Sequence, residues 1–396
     1  MTYAVLAVSG VALALLGGAV LTGLAFRRDR SIVRGRHLLA VAVTALVLIA
    51  LTAIFDNLMI GAGLFHYASE HLLGFSIGLA PIEDFSYPLA GALLLPALWA
   101  ALQRGSAQRR RDCAQLVLSS RPISWVNTAF PFGAAYLLVT REIDWVFVVG
   151  VLYFLIPYNF AMYGINDVFD YASDLANPRK GGIEGALLAP RLHRPTLWIA
   201  ALTNVPFLIL LGTAGGPAAW LALALSAFAV VAYSAPRLRF KERPFLDSVT
   251  SSFHFVSPAI VGLLLAGGHI NGALVLLLSA FFLWGMAAHA FGAVQDIGPD
   301  REAGIHSIAT AIGARATTRL ALLLWIAAGA LMLFTPWPGP LAAIIVVPYV
   351  VNCAPFWFVT DANSARTNRA WRRFIALNFF AGFLTTLLLI LEWNRV

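Results

Sequence analysis

The sequence predicts an all-α, polytopic membrane protein of about twelve spanning helices with its N-terminus outside. Three observations predict it. Apolar residues make up 60% of the 396 residues and charged residues only 12%, against about 45–50% and about 25% in a soluble chain, so most of the surface must face lipid. The apolar residues come in continuous Leu- and Ala-rich runs of about 20 residues, the length of a helix that crosses a bilayer, and not in the alternating ten-residue segments of a strand barrel. Finally, 25 of the 27 Lys and Arg residues fall in alternate loops between those runs, as the positive-inside rule requires.

The first run, near 3–26, has no basic flank ahead of it and is long enough to span, which predicts an uncleaved helix and not a signal peptide. Arg27, Arg28, Arg30, Arg34 and Arg36 follow it and fix its far end inside. Runs near 38–55 and 80–101 complete a group of three. The polar, basic stretch 102–121 then separates them from nine more, near 123–140, 145–165, 196–213, 217–234, 253–267, 272–292, 317–335, 341–360 and 374–392. With the N-terminus outside, the inner loops 27–36, 104–121, 179–194, 237–243, 301–319 and 366–373 hold all Lys and Arg except Arg141 and Arg395. The net charge of +8 therefore reports topology, and no nucleic-acid partner is expected. Cys113 and Cys353 are too far apart for a disulfide framework or a zinc site. The expected organisation is a three-helix domain, 1–105, a cytoplasmic linker, 106–119, and a nine-helix domain, 120–396.

The inner loops 166–195 and 294–316 concentrate the acids. NDVFDYASD (166–174) places Asp167, Asp170 and Asp174 at i, i+3 and i+7, one face of a helix, with Asn166 just ahead of them. DIGPDREAG (296–304) places Asp296 and Asp300 at i, i+4, with Pro299 disturbing the backbone between them. A carboxylate at the centre of a spanning helix costs about 2.5–3.5 kcal/mol on insertion scales, so two clusters at matched depth need a compensating cation. Hard oxygen ligands suit Mg²⁺, which binds one or two carboxylates plus substrate phosphates. The pattern reads as two acidic walls with Mg²⁺ and a diphosphate between them, the metal stabilising the leaving group as a carbon–oxygen bond breaks. Arg179 and Lys180, the loop YSAPRLRFKERP (233–244) with Arg237, Arg239 and Lys241, and Arg301 can complete the clamp. Topology alone also demands basic residues in such loops, and Tyr233 also suits an interfacial aromatic.

Residues 120–396 resemble the UbiA superfamily of intramembrane prenyltransferases. Asn166, Asp167, Asp170 and Asp174 match that family's N-D-x-x-D-x-x-x-D motif, and Asp296, Asp300 and Gly304 match its D-x-x-x-D-x-x-x-G motif. The resemblance implies nine helices, both clusters as catalytic metal ligands, and Tyr233, Arg237 and Lys241 facing the donor diphosphate.

In the amino-terminal part, Pro81 suits a helix start, and Glu83 and Asp84 then fall in a first turn where the helix dipole favours acids. Two adjacent acids, with Asp56 and Glu70 on the same outer side, also suit proton transfer. Pro81-Ile82-Glu83-Asp84 and Phe55-Asp56-Asn57 resemble the small three-helix lycopene cyclase subunits, in which two such halves are implied to form one enzyme. A separate subunit carrying the other half is therefore expected. Together the two resemblances imply an enzyme of fifty-carbon carotenoid synthesis in a bacterial cell membrane, with its active-site loops cytoplasmic. It would transfer a dimethylallyl group from dimethylallyl diphosphate to lycopene, and Glu83 or Asp84 would handle a proton during ring formation. The acids of the first domain fall on the outer side and the metal site on the inner side, and the sequence offers no physical account that joins them.

Two rivals differ in chemistry: a UbiA-type enzyme with an aromatic acceptor, and an ion-coupled transporter. The fused three-helix part argues against the first. The clustering of acids at one interface, without the midplane polar helices of transporters, argues against the second. His66, His71, His193, His254, His269, His289 and His306 form no metal triad, although His289, seven residues before Asp296, can share its face.

Overall fold

The computed structural model describes residues 2–26, 35–102, 107–171, 175 and 187–395. Asp174, Arg179 and Lys180 lie outside the described residues. The chain divides into two compact units, Met1–Arg110 and Arg111–Val396, each taken by itself.

In the first unit, α1 (Thr2–Phe26), α2 (Gly35–Gly61) and α3 (Ser86–Leu102) are the helices, and α3 packs against the other two. The connection from α2 to α3 is held locally. Asn57 donates to the carbonyl of Ile77 (2.8 Å) and accepts from the amide of Leu79 (2.6 Å), which pins a two-residue hairpin, Ser76–Ile77 against Ala80–Pro81. Pro81 was expected to begin the third helix. It sits instead in this hairpin, opposite Ser76, and a 3₁₀ turn, Ile82–Phe85, intervenes before α3 starts at Ser86. The proline's fixed φ of −62° with ψ of 146° is extended geometry, as compatible with a strand end as with a helix start.

The second unit begins within α4 (Ala107–Ser119) and continues through α5 (Trp125–Thr140), α6 (Trp145–Leu155), α7 (Pro157–Phe169), α8 (His193–Ala214), α9 (Pro217–Ser234) and α10 (Leu246–Leu265). Then come α11 (Gly272–Val294), the short α12 (Ile297–Glu302), α13 (Ile308–Met332), α14 (Val347–Cys353) and α15 (Asn368–Trp393). Helix α10 packs against α5, α9 and α11, and α11 packs most extensively on α13. Close approach is built in. A Cβ on Gly262 of α10 would lie 2.5 Å from the carbonyl oxygen of Phe132 on α5, so only glycine lets these backbones meet, the usual device where lipid offers no hydrophobic drive for packing.

Helices α6 and α7 are one span broken at Ile156–Pro157, where proline lacks the amide a continuous helix needs. Buried Asn159 and Thr128 both donate to the carbonyl of Phe154 beside the break (2.8 and 2.7 Å), since a membrane interior supplies no water for it. Two aromatic cores fill the unit: Phe132, Tyr136, Tyr153, Phe154 and Tyr158 in one, Phe291, Trp325, Tyr349 and Phe374 in the other.

Eleven helices among the described residues are long and apolar enough to span a membrane. The expected third span is present as α3, but at 17 residues it is shorter than the others. Another boundary moved with consequence. The span expected at 253–267 is a helix over Leu246–Leu265. Asp247, Ser248, Thr250, Ser251 and Ser252 made its first two turns look like loop, but Asp247, Ser248, Thr250 and Ser252 are buried inside the bundle.

Candidate active site

Asn166 and Asp167 lie in the last turn of α7, and Asp170 is the residue that caps it. Asp167 and Asp170 are buried, 1% and 8% exposed, so the pairing expected of intramembrane carboxylates can be followed directly. Arg121 Nη2 lies 3.4 Å from Asp167 Oδ1, and its guanidinium stacks over the Tyr163 ring at 4.4 Å. Lys241 Nζ forms an ion pair with Asp170 and donates to Asn166 Oδ1 at 3.4 Å. Arg239 Nη2 approaches Asp170 at 3.7 Å and also pairs with Glu242. Ser234, at the end of α9, donates to Asn166 Oδ1 at 3.0 Å, which ties the asparagine to the start of the basic loop.

That loop is bent into place at some cost. Arg237, Arg239 and Phe245 have φ of 74°, 38° and 69°, and Arg121 has 49°, the left-handed region that β-carbon residues avoid by about 1–2 kcal/mol each. Strain of this kind persists where surrounding contacts over-determine the backbone. For Arg121 and Arg239 the contacts are the ion pairs just named.

Asp296 caps α12, and Asp300 lies in its first turn. The Asp300 amide donates to the Asp296 carbonyl at 2.8 Å, so the expected i, i+4 helical spacing holds despite Pro299. Lys241 connects the two clusters. Its mostly buried ammonium is pulled down to about 8 by loss of water, while the charges of Glu242, Asp167 and Asp300 act to hold the proton on. Carboxylates from both clusters thus act on one cation.

Among the described residues, no three acidic, histidine or cysteine side chains form a metal-binding group. Basic side chains, not a convergent carboxylate triad, balance Asp167 and Asp170 in this arrangement. The donor set of Asn166, Asp167, Asp170, Asp296 and Asp300 is nevertheless all hard oxygen on two walls, the chemistry that suits Mg²⁺ shared with a phosphate.

Two further residues expected at the donor have partners within the chain. Arg237 is exposed, and its carbonyl accepts from Arg243 at 3.2 Å. Arg301 is also exposed and pairs with Asp361 at 2.8 Å. Asp361 in turn accepts from the amide of Ala314 at 2.7 Å, capping α13 where it restarts after a kink at Gly313. Arg301 therefore braces that kink. Sequence reasoning counted Arg121 only as a topological charge. Its one further signal was Pro122, which forces a turn just ahead of α5. Asp247 was missed because its polar neighbours disguised the helix.

Tyr233 points into the bundle. Its hydroxyl lies 3.2 Å from His289 Nε2, and its ring meets His254 edge-on at 5.2 Å.

In the first unit, Glu83 is buried and its Oε1 accepts from the amide of Leu73 at 2.6 Å. Asp84 Oδ2 accepts from the Tyr67 hydroxyl at 2.6 Å. Burial, and then this bond, push the Tyr67 phenol above its usual range. Asp56 is within hydrogen-bonding reach of Asp84.

Residues 128–384 match the UbiA prenyltransferase family. The chain is 47% identical over 411 residues to the C(50) beta-cyclic carotenoids biosynthesis protein LbtBC of Dietzia sp. (strain CQ4), covering 94% of this chain and 95% of that one. It is 54% identical over 275 residues to a lycopene elongase/hydratase of Corynebacterium glutamicum, covering 69% of this chain and 96% of the relative. In fold it is similar to digeranylgeranylglyceryl phosphate synthase, with a TM-score of 0.51 at 14% identity over 72% of this chain and all of that one. The motifs, the helical bundle and these matches agree: the chain belongs to the UbiA prenyltransferase family and is a multi-pass membrane prenyltransferase of the lycopene elongase and fifty-carbon carotenoid group.

Proposed function

We propose that the chain transfers a dimethylallyl group from dimethylallyl diphosphate to lycopene at the cytoplasmic face of the cell membrane, with Mg²⁺ as cofactor. The observation that carries this reading is Lys241, held by Asn166 and Asp170 and acted on by Asp167 and Asp300. A lysine and two arginines gathered on the first acidic wall mark the place for a ligand that is itself strongly anionic and brings its own cation. The names of the Dietzia and Corynebacterium relatives supply the acceptor class.

Asn166, Asp167, Asp170, Asp296 and Asp300 would hold the metal, with Asp174 extending the first wall as the motif implies. Bound there, Mg²⁺ supplies charge neutralisation for the departing diphosphate. Lys241, Arg239 and Arg121 bind and orient the phosphate oxygens; Arg179 and Lys180 belong to the same clamp by sequence position. Arg121 and Lys241 exchange their present carboxylate partners for phosphate oxygens as donor and metal enter together. The apolar bundle excludes water from the allylic carbon, which favours attack by the terminal double bond of the acceptor over hydrolysis.

Residues 1–105 act as half of a carotenoid cyclase that requires a separate small subunit, with Glu83 and Asp84 as its proton-handling groups. The Glu83 carboxyl is buried beside a single amide, and Asp84 meets a phenol and a second carboxyl. These surroundings suit proton exchange more than metal binding.

The test is expression in a lycopene-producing bacterium with mass analysis of the carotenoids. Products heavier by one or two five-carbon units, lost in an Asp167→Ala/Asp170→Ala variant and dependent on Mg²⁺ in membranes, are expected. Unchanged lycopene with well-expressed protein, or prenylated aromatics in its place, overturns the acceptor assignment.

A further inference from the structure

The prenyl transfer leaves a problem that the acidic walls do not solve. The C–O bond of the donor breaks with both electrons going to diphosphate, and the terminal C=C of the acceptor forms the new C–C bond to the donor carbon. A tertiary cation remains on the acceptor. It collapses either by losing a proton from an adjacent carbon, which restores a double bond, or by adding water, which then sheds its second proton. Either route hands one proton to a base, which must lie deeper in the bilayer than the diphosphate.

Among the described residues, a group of polar side chains gathers around His289. His289 is on α11, two turns before Asp296, which places it about 10 Å further along the helix at 1.5 Å per residue. Its Nε2 lies 3.2 Å from the Tyr233 hydroxyl and its Nδ1 lies 3.0 Å from Ser248 Oγ. Asp247 accepts from the amides of Ser248 and Ile308, both at 2.7 Å, and is the neighbour in sequence of the serine that meets His289. His254, 2% exposed, packs edge-on against the Tyr233 ring, and its Nε2 has no hydrogen-bond partner. Packing alone does not require two imidazoles, a phenol, a serine and a carboxylate between apolar helices, because such groups cost free energy when buried without a role. Tyr233 is only partly buried, and it immediately precedes Ser234, which holds Asn166. The group therefore abuts the donor site on its membrane side.

We propose that His289 is the base that receives the proton released when the acceptor cation collapses, with Tyr233 as the contact to the substrate. The substrate proton enters at Tyr233 Oη as the tyrosine's own proton passes to His289 Nε2. This requires the tautomer in which Nδ1–H donates to Ser248 Oγ. The imidazolium that forms is stabilised by Asp247. The unpartnered Nε2 of His254 provides the second polar contact needed to hold a water where hydration is the outcome. This inference rests on the elongase reading above.

The experiment uses the full chain in lipid nanodiscs with lycopene, dimethylallyl diphosphate and Mg²⁺. The elongated products are separated by mass spectrometry into hydrated and unsaturated forms, and donor affinity is measured separately. His289→Asn is expected to reduce elongation at least about a hundredfold, the usual worth of a general base, with donor affinity within about twofold of the parent. The residual product is expected to show a changed ratio of hydrated to unsaturated forms. Tyr233→Phe should reproduce that change in ratio. A His289→Asn protein that keeps the parent ratio, or whose elongation falls only in proportion to donor affinity, overturns the proposal. If the unsubstituted chain leaves lycopene unchanged, the elongase reading fails first and the base with it.

Discussion

The two acidic regions of this chain differ in what surrounds their carboxyls. In the second unit, Asp167 and Asp170 meet Arg121, Arg239 and Lys241, so each carboxylate has a cationic partner. In the first unit, no Lys or Arg occurs between Arg36 and Arg104. Glu83 meets a backbone amide, and Asp84 meets the Tyr67 hydroxyl and Asp56. Carboxylates flanked by cations have the chemistry that suits a metal shared with a phosphate. The units also differ in packing. Across the window that spans the membrane, α10 is 61% buried, whereas α1 is 22% buried and α2 is not buried at all. The second unit buries its acidic pair Asp167 and Asp170, whereas α2 leaves a long apolar face, Val43, Leu46, Val47, Leu51, Ile54 and Leu58, exposed.

The comparison can be broken most sharply at the metal walls. Asp167→Ala with Asp170→Ala should reduce elongation about a thousandfold or more, since loss of one preorganised charge-stabilising group already costs about 10²–10³; product masses in lycopene-producing cells check it. Glu83→Gln with Asp84→Asn should leave those masses intact. Co-expressed with the missing cyclase half, the same pair should reduce cyclic product about a hundredfold, the scale of a lost general acid; chromatographic separation of cyclic from acyclic carotenoids reads this. If the Glu83 and Asp84 variants abolish elongation itself, the division of labour is wrong.

Smaller effects sharpen the picture inside the bundle. Arg121→Ala should raise the donor KM about tenfold and Arg121→Lys should recover part of it, because lysine keeps the charge but not the planar stack on Tyr163; steady-state kinetics with varied donor decide this. Gly313→Ala should leave donor affinity nearly unchanged and destabilise the protein by about 1–3 kcal/mol. Its φ of 80° and ψ of 162° lie in a region open essentially to glycine alone. Thermal unfolding in detergent measures the shift.

How much was legible in the sequence follows from which signals are local. A spanning helix is announced by its own 20 residues, so the helix content and the inner loops could be read from composition and charge. The spacing of Asp167 and Asp170, and of Asp296 and Asp300, is a property of one helix turn, so both walls could be read too. Local reading failed where polar residues belong to a buried surface. Hydropathy hid Asp247 and Ser248 in an apparent loop. Pro81 signalled a helix start although its neighbours Ser76–Ile77 claim it for a hairpin.

By itself, then, the sequence determined an all-helical membrane chain with two acidic motifs and a basic loop, because hydrophobic length, charge placement and i, i+4 spacing act within a single segment. Only the tertiary structure decided which basic residues serve those motifs. It took Arg121 and Lys241 to Asp167 and Asp170, sent Arg301 to Asp361, and brought His289 to Tyr233. Those pairings join residues 46 to 71 positions apart. At such separations the partner is chosen by how helices pack and where a desolvated charge finds its opposite, and no single segment carries that information.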